Sequence, residues 1–139
     1  MKFSGASFAA ILAAGLASAQ APAFTVSKFS AGATPHSSIG YVELTFAAGA
    51  KETTCKAQPP TYQSFPSIEK TACSEPGMAF SLTKRADGGS DLELFSGAAS
   101  AIHTIKKEEI SEANQQSPTG TVQVYSGPQS FTAEPANGA

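Results

Sequence analysis

Two histidines are the first residues to consider for chemistry, because imidazole is the side chain most often used as a general base. His36 lies in a polar stretch directly before Ser37 and Ser38, and residues adjacent in sequence give poor geometry for a catalytic triad. The chain has no Gly-x-Ser-x-Gly nucleophile elbow. We interpret His36 as a turn residue and His103 as a half-buried strand histidine, whose intrinsic pKa of about 6.5 leaves a pH-sensing role open.

Acidic residues surround a Gly88-Gly89 pair. Asp87, Asp91 and Glu93 could offer oxygen ligands to calcium, but their spacing does not match an EF-hand loop. An acidic hairpin turn explains the pattern, so we predict no metal.

A pair of glutamates could in principle hydrolyse a glycosidic bond if their carboxyl groups lay about 5 to 9 Å apart. Glu43 and Glu93 fall on separate predicted strands, and nothing in the sequence brings them together. The chain has no tryptophan and only three tyrosines to serve as sugar platforms. We therefore predict a non-enzymatic protein without a cofactor.

The N-terminus has the layout of a secretory signal peptide. Lys2 precedes a short run rich in Ala, Ser and Gly that ends at Leu16, and small residues follow up to Ala19. This run is shorter than the roughly 20 apolar residues of a membrane-spanning helix. We predict residues 1–19 as a signal peptide, 20–134 as a single secreted β domain and 135–139 as a flexible tail.

The two cysteines, Cys55 and Cys73, are predicted to form a disulfide, because an even pair in an exported protein is normally oxidised. Only His36 and His103 could join them as soft ligands, which argues against a closed zinc site.

With a net charge of −2 and no basic cluster larger than two residues, the chain is predicted to bind no nucleic acid. Its polar C-terminus lacks a lipid-anchor signal, so no membrane partner is predicted.

Period-two alternation, as in Val42, Leu44 and Phe46, predicts short strands separated by turns. The predicted strands cover residues 24–29, 39–47, 51–56, 68–73 (strand or turn), 78–83, 91–95, 100–106, 121–125 and 129–133. Residues 30–38 are predicted as a loop, and residues 108–113 could form one helical turn. We expect an all-β fold, a mostly antiparallel sandwich or partly closed barrel of seven to eight strands. The predicted core is Val26, Val42, Leu44, Phe46, Met78, Phe80, Leu82, Leu92, Leu94, Val122, Val124 and Phe131.

A proline-rich loop, residues 58–67, carries two aromatic residues between the cysteines. Exposed aromatic side chains on a rigid loop are natural anchors for a partner, so Tyr62 and Phe65 are candidate binding residues. The alternative for Phe65 is that it caps the end of the barrel.

Six segments resemble the Alternaria alternata allergen 1 family of fungal secreted proteins. They are 41–46 (YVELTF), 54–58 (TCKAQ), 72–74 (ACS), 78–82 (MAFSL), 91–94 (DLEL) and 124–131 (VYSGPQSF). The resemblance implies a β-barrel or sandwich and a fungal extracellular allergen, elicitor of plant defence or effector. It supplies no catalytic residue. The chain lacks the family's second disulfide and its cysteine for covalent dimerisation, so we expect a monomer.

These observations predict a protein that engages a host extracellular protein or surface through loops at the barrel end. The alternatives left open are a carrier of a small apolar ligand, a structural component of the cell wall and an unrecognised hydrolase.

Overall fold

The structure is a computed structural model that describes residues 23–35, 37–114 and 121–136. Within these ranges the chain forms ten β-strands, all paired antiparallel, and a 3₁₀ turn at Lys107–Glu109. The strands are β1 (Phe24–Ala33), β2 (Gly40–Ala48), β3 (Lys51–Ala57), β4 (Ile68–Ala72), β5 (Met78–Lys84), β6 (Ser90–Ser96), β7 (Ala99–Ile105), β8 (Ile110–Asn114), β9 (Thr121–Tyr125) and β10 (Phe131–Pro135). In this part of the chain no helix has the length and apolarity to cross a bilayer.

Eight strands follow one another in the order β3-β2-β1-β10-β7-β6-β5-β4 and form a nearly closed antiparallel barrel. The β8–β9 hairpin branches from this path, because Val124 of β9 pairs with Gly32 of β1. The predicted all-β fold is therefore confirmed. The end that carries the β1–β2, β3–β4 and β5–β6 connections, with the β8–β9 hairpin against it, is called the loop end below.

Strand β1 is longer than predicted, because it continues through Ala33 instead of ending at a loop from residue 30. A bulge lies between Ser27 and Ser30, with Lys28 at φ 58°, and pairing with β2 resumes beyond it. A bulge interrupts the alternation of side chains without ending the strand, so the period-two pattern stops early.

The segment after β7 also differs from its prediction. A helical turn was expected within residues 108–113, whereas Lys107–Glu109 forms a 3₁₀ turn and β8 begins at Ile110. Ser111 and Glu112 are exposed, and among the described residues β8 pairs only with β9. An edge strand of polar residues carries no alternating apolar signal, and its pairing partner decides its conformation.

The predicted domain limits lie mostly outside the described residues, which include neither 1–19 nor 137–139. The predicted tail begins too early, because Pro135 pairs with Ala101 and the Ala136 backbone N–H donates to the carbonyl of Ser100.

The barrel interior is occupied by large apolar side chains. The largest fully buried ones are Phe24, Phe29, Phe46, Phe65, Phe80, Leu44, Met78, Leu82, Leu92, Leu94, Ile105 and Val42. The predicted core is confirmed except at Val124 and Phe131, which are only partly buried. Phe131 lies at the margin of the core, where its ring stacks on that of His103.

Candidate functional site

The first and last strands of the sheet order, β3 and β4, face each other across a gap that we call the seam, and covalent and polar contacts join them there. Cys55 of β3 is bonded to Cys73, the residue after β4, with their Cα atoms 4.5 Å apart. Beside it, the Ser74 backbone N–H donates to the carbonyl of Thr54 at 3.0 Å. No ladder of strand pairing joins β3 to β4, both of which are fully described. The predicted disulfide is confirmed, and it fastens the sheet where no strand ladder does.

The β3–β4 loop is anchored to the barrel by hydrogen bonds and by one buried ring. Phe65 is 2% exposed, and its backbone N–H donates to Oε1 of Gln123 at 2.8 Å. The backbone N–H of Gln123 in turn donates to the carbonyl of Gln63 at 2.9 Å. Within the loop, Oγ1 of Thr61 donates to the carbonyl of Ser64. These contacts anchor the loop against the β8–β9 hairpin.

Two exposed apolar side chains lie on neighbouring segments of the loop end. Ile39 is 44% exposed and Tyr62 is 62% exposed, and they are the exposed large hydrophobic residues of the described chain. Ile39 pairs with Pro60 in an antiparallel bridge, and the Thr61 backbone N–H donates to the carbonyl of Ser38 at 3.0 Å. We call Ile39, Pro60 and Tyr62 the Tyr62 patch. Sequence reasoning missed Ile39, because nothing in the sequence shows that residues 38–40 pair with the loop.

The structure separates the two predicted binding residues. Tyr62 is on the surface, as a binding role requires, whereas Phe65 is in the core. The alternative in which Phe65 packs at the end of the barrel is therefore the correct one. Phe65 is not a surface anchor for a partner; it secures the loop to the barrel.

The histidines do not form a recognisable catalytic group in the described residues. His36 lies outside those residues. The His103 ring is stacked on Phe131 with centroids 3.9 Å apart, and its Nε2 is buried without a hydrogen-bond partner in the described part of the chain. Burial lowers the pKa of His103, although the charge of Glu109 and a hydrogen bond to the backbone of Thr132 oppose the shift.

The two glutamates considered as a hydrolytic pair do not meet. Glu43 on β2 forms a salt bridge with Lys56 at 3.4 Å. Glu93 is on β6, four strands away in the sheet order.

The acidic turn is organised by an arginine. Arg85 forms salt bridges with Asp87 at 3.3 Å and Asp91 at 3.1 Å. The Gly89 backbone N–H donates to Asp87, and with Arg85 it holds the pKa of that carboxyl below its usual value. Asp91 also accepts a hydrogen bond from Thr104. Among the described residues, no three His, Cys, Asp or Glu side chains are grouped to hold a metal ion.

The fold and this site define a class: a nearly closed antiparallel barrel with one disulfide and an anchored loop that exposes an aromatic side chain. No family model matches the sequence, and no match was found among the curated proteins or the solved structures.

Proposed function

We propose that this chain is a secreted fungal protein without enzymatic activity, of the allergen or effector type. In this proposal it engages a host extracellular protein through the Tyr62 patch at the loop end. The observation that carries the proposal is the 62% exposure of Tyr62 on a loop that is otherwise anchored. The family resemblance supplies the compartment and the kind of partner.

The anchoring of the loop favours binding because it limits the entropy lost on association. Ordering a flexible side chain or loop at an interface consumes part of the binding free energy. Here the buried Phe65 ring and the backbone bonds between Gln63 and Gln123 already order the loop. Tyrosine is also among the residues that most often dominate binding energy at interfaces.

The described polar side chains support a role other than hydrolysis. Asp87 and Asp91 are paired with Arg85, and Glu43 is paired with Lys56. The large side chains inside the barrel favour contact at the surface over transport of an apolar ligand within it.

The test is to immobilise this protein and to capture its host partner from plant extracellular fluid. We expect one partner to be retained by the native chain and lost, or weakened about tenfold or more, by Tyr62→Ala, as for an interface hot spot. Ser67→Ala is the matched control, because Ser67 is an exposed polar residue of the same loop. Failure to retain any partner, or equal capture by Tyr62→Ala and the native chain, would contradict the proposal.

A further inference from the structure

The outer face of the β2–β3 hairpin carries a cleft of about 350 Å³. Its lining residues are Tyr41, Val42, Glu43, Lys56, Ala57 and Gln58. Glu43 pairs with Lys56 across the hairpin, and the Gly40 backbone N–H continues this pairing by donating to the carbonyl of Pro59 at 2.8 Å. The cleft therefore stands on paired strands, and its volume lies at the lower end of the roughly 300 to 1,000 Å³ found for small-molecule pockets.

Four of the lining side chains are accessible to a ligand. Glu43, Lys56 and Gln58 are exposed, and Tyr41 is partly exposed. Tyr41, Glu43 and Lys56 alternate along their strands with more deeply buried residues, so they project away from the barrel interior. The cleft thus combines an aromatic ring, a carboxylate, an ammonium group and an amide on one open surface.

Tyr41 is held beside the cleft by its fit to a neighbouring strand. It pairs with Gly32 of β1, and a Cβ atom at Gly32 would lie 3.1 Å from the Tyr41 hydroxyl and 2.8 Å from Cγ1 of Val124. Glycine therefore leaves the space in which the phenol group lies over β1. A side chain that is already ordered loses little entropy when a ligand packs on it.

Glu43 and Lys56 form an ion pair that keeps free hydrogen-bonding capacity. Their side chains are 53% and 69% exposed, and Oε2 of Glu43 lies 3.4 Å from Nζ of Lys56. Oε1 of the carboxylate and the other N–H groups of the ammonium remain available to a ligand. Among the described residues no other charged side chain lines the cleft, so the two charges cancel there. This arrangement suits a neutral ligand with neighbouring hydroxyl groups better than it suits an ion.

Gln58 adds a further donor and acceptor to the cleft. Its side-chain amide is exposed and has no hydrogen-bond partner within the described part of the chain. An amide both donates and accepts, as a sugar hydroxyl does. Glu43 is the one carboxylate of the described residues that lines the cleft, whereas hydrolysis of a glycosidic bond takes a pair. The side chains therefore favour binding of a saccharide over its cleavage.

We propose that this cleft binds a sugar ring of a β-linked glucan. In β-linked glucose every hydroxyl group is equatorial, so the faces of the ring carry only C–H groups, and one face would stack on the Tyr41 ring. Of two neighbouring hydroxyl groups, one would donate to Glu43 and the other would accept from Lys56, while Gln58 would bind the adjoining sugar unit. The site does not include Tyr62, so it goes beyond the proposed function.

Two neutral oligosaccharides serve as probes, each added to isotope-labelled protein and followed by NMR shifts of backbone amides. Cellotetraose has the 1,4 linkage of plant cellulose, and laminaritetraose has the 1,3 linkage of fungal wall glucan. We expect at least one of them to give saturable shifts confined to residues around the cleft, with a Kd of about 1 mM or tighter. The tighter probe indicates the source of the glucan. If neither probe gives saturable shifts at the cleft, the proposal is overturned.

Glu43→Gln should weaken binding of the tighter probe about fivefold, because a neutral amide replaces the charged acceptor of a hydrogen bond. Glu52→Gln is the matched control, because Glu52 is an exposed glutamate of the same hairpin at the other end of β3. It should bind the probe as the native chain does. Equal binding by Glu43→Gln and the native chain, or an equal loss in Glu52→Gln, would contradict the proposal.

Tyr41 supplies a second readout that does not depend on the ion pair. Tyr41→Leu keeps an apolar side chain but removes the ring, so it should weaken binding about fivefold, whereas Tyr41→Phe keeps the ring and should retain most of the affinity. Native-like amide spectra of the unliganded variants show that they are folded. The proposal is overturned if folded Tyr41→Leu binds the probe as the native chain does, or if Tyr41→Phe loses as much affinity as Tyr41→Leu. Should Tyr41→Leu fail to fold, the exposed Glu43 position still decides the outcome.

Discussion

Tyr62 and Phe65 are three residues apart in one loop, yet one is exposed and the other lies in the core. The difference follows from the turn between them, where Gln63 adopts φ 64° and Thr61 bonds to the carbonyl of Ser64. The turn directs Phe65 inward, so the two aromatic residues have different roles: Phe65 secures the loop and Tyr62 is available at the surface.

Phe65→Ala is therefore expected to destabilise the protein by about 3 to 5 kcal/mol, the range measured for removing a buried phenylalanine. Tyr62→Ala should change the free energy of unfolding by no more than about 0.5 kcal/mol. Urea unfolding followed by circular dichroism measures both values. Similar losses for the two variants would mean that the loop is not anchored by Phe65.

His103 should make stability depend on pH. Its pKa is lowered in the folded state by burial against Phe131, so below about pH 6.5 the unfolded chain binds more protons than the folded chain. This contribution to stability is fully present above about pH 6.5 and is lost as the pH falls through the folded-state pKa.

We expect His103→Phe to remove the loss of stability that His103 causes below about pH 6.5. Urea unfolding at several pH values measures it, and His36→Asn controls for the other histidine of the chain. If the free energy of unfolding of His103→Phe varied with pH as it does for the native chain, the dependence would belong to other groups.

At the scale of elements, the seam between β3 and β4 is the place where the barrel depends on a covalent bond. The disulfide spans residues 18 apart in sequence, and Thr53, which is 4% exposed, reaches across the seam beside it. Its Oγ1 lies 3.1 Å from Oγ of Ser74 and accepts a hydrogen bond from the backbone N–H of Glu75.

Replacing both cysteines, Cys55→Ser with Cys73→Ser, should cost about 3 kcal/mol from the lost constraint on the unfolded chain. Urea unfolding measures this loss. Hydrogen exchange should also quicken at the Ser74 amide, which bonds across the seam, while β6 amides in the middle of the sheet remain protected. Unchanged exchange at Ser74 would mean that the polar contacts hold the seam without the disulfide.

At the scale of the whole molecule, the barrel brings the segments of the loop end together from distant parts of the chain. Gln123 bonds to Phe65, 58 residues earlier in sequence, and β10 inserts between β1 and β7. The Tyr62 patch exists only once these long-range contacts have formed.

The proposed secretion predicts a defined mature chain. We expect the exported protein to begin at Gln20, after removal of residues 1–19, and to weigh two hydrogens less than the reduced sequence because the cysteines are joined. Intact-mass spectrometry of protein recovered from culture medium measures both. A mass that includes residues 1–19 would contradict the signal peptide, and size-exclusion chromatography would test the expected monomer.

The sequence alone was enough to predict the all-β class, most strands, the disulfide and ten of the twelve core residues proposed. Those features depend on local alternation and on the number of cysteines, which are visible in the chain itself. The bulge that extends β1, the polar strand β8, the exposure of Ile39 and the burial of Phe65 were decided by the tertiary structure. Each depends on a partner elsewhere in the chain. Beyond its bulge β1 pairs with β2 and β9, and β8 pairs with β9. Ile39 pairs with Pro60, and Phe65 is held at the loop end by Gln123.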